Sequence, residues 1–201
     1  YHSSIYRFPF VVPFVNATLT GDLTFPKDEM TGTNSALDGY VAGGSASTAP
    51  EGLGDTIIER FPFASPFAVA SDIGDMNTTR FAAPGHQNGA YGFIAAGRAT
   101  SPSGNSLTSV SRFPFSTPFT VTTNVGNLSL MPVAPQPGLP NGRRYAAGQS
   151  SIIDGYVSGG ATRNIGTTAR IDTFPFGSPF TSSTDVGDLS DDRMQSAGHQ
   201  G

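Results

Sequence analysis

The side chains that could do chemistry in this chain recur at matched positions. His86 and His199 each stand in a Gly-His-Gln triplet, and the same position in two sister phrases holds Thr33 and Gln149. Four imidazoles meeting at one point would make a metal site, but two with Thr and Gln make a poor ligand set. A satisfied polar lining is the reading these types support. Asp185, Asp188, Asp191 and Asp192 offer the oxygen ligands that calcium takes, at a spacing that matches no EF-hand loop. Arg7, Arg60 and Arg112 precede the same phrase in three copies and could ring an anion. Arg also makes several hydrogen bonds to strand-end carbonyls, and recurrence in the copies favours that architectural use.

Templates for enzymes are missing. There is no Gly-x-Ser-x-Gly, His-Glu-x-x-His or phosphate-loop motif. Cys is absent, which removes disulfides, thiolate metal sites, a Cys nucleophile and a Cys-Tyr copper centre. No cofactor is expected. Net charge is −4 with 13% charged residues, the wrong sign and too sparse for a nucleic-acid surface. No apolar run is long enough to span a bilayer, so no membrane insertion is expected. The triplets at Asn16, Asn77 and Asn127 fit glycosylation acceptors, a motif that arises often by chance.

These residues hang on a repeat. Arg7-Phe8-Pro9-Phe10, Arg60-Phe61-Pro62-Phe63, Arg112-Phe113-Pro114-Phe115 and Thr173-Phe174-Pro175-Phe176 are each followed by a second Pro-Phe ending at Phe14, Phe67, Phe119 and Phe180. Thirteen residues after the first Phe comes a glycine, read as a turn: Gly21, Gly74, Gly126 and Gly187. A basic residue follows, with Gly five positions on: Lys27/Gly32, Arg80/Gly85, Arg143/Gly148 and Arg193/Gly198. Twelve residues after it a small apolar strand opens at Gly39, Gly92 and Gly155. The units run 1–44, 45–97, 98–160 and 161–201, and the third carries an insertion at 131–142.

Each unit reads as one four-stranded sheet without helix. Strands are expected at Tyr40–Ala42, Ile58–Phe63, Ala68–Ser71 and after Arg80, with equivalents in the sister units. Alternation puts Phe61 and Phe63 on one face. Such sheets bury their faces only by stacking on one another, so Phe8, Phe14, Phe61, Phe67, Phe113, Phe119, Phe174 and Phe180 are the expected structural core between them. The chain has four Phe-Pro-Phe phrases but three Gly-Tyr-Val-type strands. Either the parent chain continues at both ends or another chain fills that strand position, because bare sheet edges invite pairing.

The pattern resembles degenerate kelch repeats. Gly43-Gly44 and Gly159-Gly160 match the family's diglycine strand end, with Ala96-Gly97 degenerate. The aromatic pairs six apart, such as Phe61 and Phe67, take the family's Tyr and Trp positions, and Arg80, Arg143, Arg193 and Lys27 take its Arg. Trp is absent, and the gap from the second aromatic to the Arg is longer than in the family. The resemblance implies an all-β propeller of four-stranded units, whole or one part of a larger ring, acting as an interaction scaffold. Ser183-x-Asp185-x-Gly187 resembles the Asp box of sialidase-type propellers, itself a structural turn. The Phe-Pro-Phe variety also resembles repeats in virion and fibre-type proteins of aquatic phages.

The expected function is therefore a non-enzymatic structural or adhesive module, on a virion or an extracellular appendage such as a phage tail fibre. Its expected partners are protein subunits of a larger assembly or surface glycan, with the chain an oligomer or a segment of a longer protein. The alternatives are a sialidase-like carbohydrate-active enzyme and an intracellular kelch-like adaptor. The insertion breaks the repeat and so is the expected contact loop. Pro135 and Pro137 stiffen it, and Arg143 and Arg144 directly after it supply charge, which makes these four the candidate binding residues.

Overall fold

Short β-branched and aromatic stretches broken by Gly, Pro and Asp can form only brief strands. The computed structural model describes residues 1–9, 16–46, 54–64, 66–100, 105–116, 118–130, 142–162, 166–196 and 198, and these hold strands and turns without a helix. Phe14, Pro135, Pro137 and His199 lie outside the described residues. Among the described residues no helix is long and apolar enough to cross a membrane.

Four antiparallel sheets follow one another along the chain. β1 (His2–Arg7) and β2 (Thr18–Asp28) open the first. β3 (Thr31–Asn34) and β4 (Asp38–Ala42) come next, and the two-residue β5 (Ser45–Ala46) returns to pair with β2. β6 (Ile57–Pro62) and β7 (Ser71–Asp75) complete the second sheet, in the order β3-β4-β6-β7. β8 (Gly85–Gln87), β9 (Tyr91–Ala95), β10 (Ser109–Pro114) and β11 (Thr123–Asn127) make the third, in chain order. The fourth holds β12 (Ala147–Ser150), β13 (Asp154–Ser158), β14 (Ala161–Thr162), β15 (Gly166–Pro175) and β16 (Thr184–Arg193), with β15 flanked by β13 and β16.

The sheets are phased differently from the sequence units. Unit 45–97 gives β6 and β7 to one sheet, and β8 and β9 to the next. The segment after Arg80 therefore opens the following sheet instead of finishing its own. The strand expected at 68–71 lies at Ser71–Asp75. Ala68–Ala70 instead straps the preceding sheet: Asp22 N–H donates to Ala68 O at 3.2 Å, and Ala70 N–H to Asp22 O at 2.8 Å. The strap covers the outer edge of β2 and removes a row of unpaired groups.

The repeated glycines of the outer strands are not turn residues. In β7, Ile58 pairs with Gly74 while Glu59 pairs with Asp72, so the strand bulges at Ile73, and β11 and β16 bulge at the same place. The side chain two residues before the glycine caps its N–H locally: Asp72 to Gly74, Asn124 to Gly126 and Asp185 to Gly187, at 3.0–3.1 Å. A Cβ at Gly21, Gly74 or Gly126 would overlap Phe67, Phe119 or Phe180 of the next unit. The glycine is the seat of the next unit's second Phe.

The first Phe is seated in the same way by a glycine of its own sheet. Gly39, Gly92 and Gly155 pair with Phe61, Phe113 and Phe174, and a Cβ on any of them would enter the ring. The two aromatics of a unit then stack at 5.6 Å between centroids: Phe61 on Phe67, Phe113 on Phe119, Phe174 on Phe180. Consecutive sheets meet through these layers. One core joins Tyr40, Ala42 and Ile58 to Ile94 and Phe113; the other joins Phe93, Ala95 and Val110 to Val157, Phe174 and Phe176. Phe113 and Phe174 are fully buried, Phe61, Phe67, Phe119 and Phe180 are half-buried, and Phe8 is half exposed. Phe8 departs from the expected core because the glycine-bearing strand that covers its three counterparts has no equivalent beside β1 among the described residues.

Candidate functional site

Three of the repeated basic residues, Lys27 near the end of β2 and Arg80 and Arg143 after β7 and β11, cross into the next sheet and are buried there, whereas Arg193 is exposed. Arg80 Nη1 donates to the carbonyls of Ile94 and Ser109, both at 3.0 Å, and Nη2 reaches the hydroxyls of Ser109 and Ser111. Arg143 donates to the carbonyls of Gly159 and Arg170 and pairs with Asp172. Lys27 pairs with Asp55 at 2.8 Å and Glu59 at 2.7 Å. Glu59, Ser111 and Asp172 occupy one repeat position, two residues before the Phe of Phe-Pro-Phe. Burial pulls the Arg80 guanidinium down to about 10 and lowers that of Arg143 as well, in the latter case against the opposing charge of Asp172.

The residues two and three positions after each basic residue face a common cleft. It is lined by Glu29, Ala82, Tyr145 and Gln195, two positions after each basic residue, and by Met30, Ala83, Ala146 and Ser196 after them, around a volume of about 380 Å³. Glu29, Ala82, Tyr145 and Gln195 all have left-handed backbones, with φ between 50° and 58°. Their peptides form a chain of hydrogen bonds from unit to unit. Ala82 N–H donates to Glu29 O, Tyr145 N–H to Ala82 O and Gln195 N–H to Tyr145 O, each at 2.8 Å. Across the cleft the Tyr145 hydroxyl donates to Glu29 Oε1 at 2.9 Å. Burial, and then the hydrogen bond to and charge of Glu29, raise the Tyr145 phenol above its ordinary value; Arg144 and Arg98 oppose that rise.

This architecture has counterparts among known folds. No family model and no curated protein matches the chain. Among solved structures it is similar to one described as "Structure of YjhT", with a TM-score of 0.71 at 12% identity over 94% of this chain. The chain spans 60% of that structure's length. At this identity the likeness shows the fold alone.

The residues singled out from sequence fall in different places. Arg143 is 1% exposed, an internal anchor rather than a contact residue, because its guanidinium is consumed by carbonyls and Asp172. Arg144 is half-buried with its guanidinium 5.6 Å over the Tyr145 ring, and so borders the cleft. His86 does not line an opening. It is fully buried, edge-on to Phe174 at 5.1 Å, with Nδ1 3.1 Å from Gln149 O. The acidic side chains from Asp185 to Asp192 are strung along the extended β16, and the described residues contain no cluster of three potential metal ligands. Arg7 and Arg60 are exposed, while Arg112 lies 4.5 Å over the Tyr91 ring. The carbonyl-binding role expected of that series belongs to Arg80 and Arg143. The cleft leaves only a faint trace in the sequence: counted from the basic residue, position two reads Glu, Ala, Tyr, Gln ahead of a glycine fixed at position five.

Proposed function

We propose that the chain is a non-enzymatic binding module, a kelch-like β-propeller segment whose sheets are blades and whose cleft at Glu29, Tyr145 and Gln195 holds glycan or a protein group. The observation that carries this reading is the contrast at the four left-handed positions. Their backbone repeats from unit to unit while their side chains change. A left-handed non-glycine residue costs on the order of 1 kcal/mol or more. Glycine would relieve that strain and leave nothing to touch a ligand. A ring flanked by a carboxylate, an amide and a guanidinium suits the apolar faces and hydroxyls of a sugar. A place on a virion or extracellular appendage, within a larger assembly, belongs to the same proposal and rests on the resemblance of the Phe-Pro-Phe repeats.

The test is a glycan array probed with the whole chain, followed by titration of Gln195→Ala and Tyr145→Ala. Saturable binding is expected, weakened by roughly ten-fold or more in each variant, with thermal midpoints close to the parent's. Binding indifferent to both changes would move recognition away from the cleft.

The Tyr145–Glu29 pair also favours a second reading, since sialidases use a Tyr nucleophile beside acidic groups. The electrostatics oppose it. A phenol raised above its ordinary value stays protonated at neutral pH and makes the poorer nucleophile. Turnover of an aryl sialoside that is lost in Tyr145→Phe would restore the enzymatic reading.

A further inference from the structure

We infer that the ligand of the cleft is an acidic sugar, held by its carboxylate, sulfate or phosphate group between Arg98 and Arg144 beside the Tyr145 ring. The inference deepens the glycan reading of the cleft and rests on it.

Neither arginine belongs to the repeat. Where Arg98 follows its glycine, the sister units have Ser45 and Ala161. Where Arg144 follows its basic residue, they have Asp28, Phe81 and Met194. The residues that build the sheets recur from unit to unit, so the architecture does not call for these two cations. The fold nonetheless brings them together. Gly97 N–H donates to Arg143 O at 2.7 Å, which sets Arg98 and Arg144, the residues that follow, on neighbouring segments. Arg98 lies 5.2 Å over the Phe81 ring and Arg144 lies 5.6 Å over the Tyr145 ring. Both act on the Tyr145 hydroxyl.

Their polar atoms are short of partners. Among the described residues neither guanidinium pairs with a carboxylate, and the Nε of each is buried without a hydrogen-bond partner. The hydroxyl of Ser106 is in the same condition, on a residue 1% exposed that pairs with Arg98 across a β-bridge. Buried donors that the chain does not satisfy call for an acceptor from outside it.

The neighbouring anchor adds to the charge. Lys27 and Arg143 are neutralised by carboxylates, whereas Arg80 has only carbonyls and hydroxyls. The Arg80 stem packs against Gly97, where a Cβ would lie 3.1 Å from its Cγ. Arg80, Arg98 and Arg144 thus gather uncompensated positive charge around Gly97, in a chain whose net charge is −4. Low-dielectric walls focus such a field on an anion, and the guanidinium fork matches the oxygens of carboxylate, sulfate and phosphate. The opposing charge is Glu29, which lies across the cleft and takes the Tyr145 hydroxyl. That polarity orients the sugar, with its acidic group at the arginines and its hydroxyls toward Glu29 and Gln195.

The whole chain is applied to an array of carboxylated, sulfated and phosphorylated glycans beside their neutral parents, and the strongest ligand is titrated by calorimetry. An acidic glycan is expected to bind roughly ten-fold tighter than its neutral parent or better, and the three acidic arms tell which anion is preferred. The preference should shrink as salt is raised. Arg98→Gln and Arg144→Gln should each cut it by roughly ten-fold with thermal midpoints near the parent's, and Arg144→Lys should restore part of it. Should a variant not fold, the salt dependence of the parent decides. Acidic and neutral glycans bound equally, with Gln195→Ala weakening both, overturns the inference and leaves the cleft reading standing. An acidic glycan whose binding ignores both arginine changes also overturns it. Binding of no glycan at all removes the reading and the inference together.

Discussion

The hydroxyl of Tyr145 and the carboxylate of Glu29 meet at 2.9 Å across 116 residues of chain, and their backbones share one left-handed turn geometry. The phenol is therefore expected to ionise above its ordinary 10, since burial and Glu29 both resist the phenolate. Glu29→Gln should bring it part of the way down, because burial remains. Ultraviolet titration of the parent minus Tyr145→Phe isolates this phenol among the six tyrosines. A Tyr145 that ionises below 10 would end the donor role assigned to it.

The buried anchors give an exchange experiment. Asp172 takes Arg143, Arg170, Ser129 and Ser183, whereas its counterpart Ser111 leaves Arg80 with hydroxyls and carbonyls. Asp172→Ser strands the buried Arg143 guanidinium and takes one partner from the part-buried Arg170, and should cost about 3–5 kcal/mol. Ser111→Asp gives Arg80 its missing carboxylate and should add about 1–3 kcal/mol, the worth of a hydrogen bond to a charged group. Urea midpoints of both variants decide this. Equal and small changes would mean that the anchors are not a matched set.

Strained turns make the opposite prediction for stability and binding. Gln195 is exposed with φ of 58°. Gln195→Gly should leave stability unchanged or raise it by up to about 1 kcal/mol, as relief of the left-handed strain offsets the added freedom of the unfolded chain. Ligand binding at the cleft should weaken in the same variant. A clear loss of thermal stability would show that the side chain is structural after all.

Much of this fold can be read from spacing. Fixed offsets of Phe, Gly and basic residues predict repeated helix-free sheets, and Phe113 and Phe174 lie where alternation puts core rings. What spacing does not reveal is which partner each repeated residue meets. Gly74 looks like a turn glycine, yet it is a bulge under Phe119, because a glycine needed for close approach and one needed for a turn leave the same letter. Arg143 next to a Pro-rich insertion looks like a surface charge. Only Asp172, 29 residues on, reveals it as an internal ion pair. The cleft is hidden for a related reason: its four turns are alike in backbone, and backbone conformation at Glu29 or Tyr145 carries no letter of its own.

Paired glycine substitutions separate close approach from flexibility. Gly126→Ala places a Cβ against the backbone and ring of Phe180 and should cost more than about 2 kcal/mol, because a backbone atom cannot rotate away. Gly32→Ala meets nothing within 4 Å and should fall within about 0.5 kcal/mol of the parent. Thermal melts of the two side by side are sufficient. Equal destabilisation would argue for an unfolded-state effect instead of seating.

His86 predicts how the fold responds to acid. Its Nδ1 faces Gln149 O, which can only accept, so Nδ1 carries the proton. Its Nε2 is buried with no hydrogen-bond partner. A second proton there would put a charge beside Phe174 with no acceptor, and burial accordingly holds the imidazole down to about 4. In the unfolded chain it titrates near 6.5, so between those values the unfolded state holds more protons than the folded one. Stability from this group is full above about pH 6.5 and falls as pH drops toward 4, by about 3 kcal/mol over the window. His86→Gln, which installs the type found at the equivalent Gln149, should lose that slope while keeping a neutral polar group. The check is the urea midpoint of parent and variant at pH 7.5 and pH 5. An identical drop in both would assign the acid sensitivity to carboxylates and sink the His86 account.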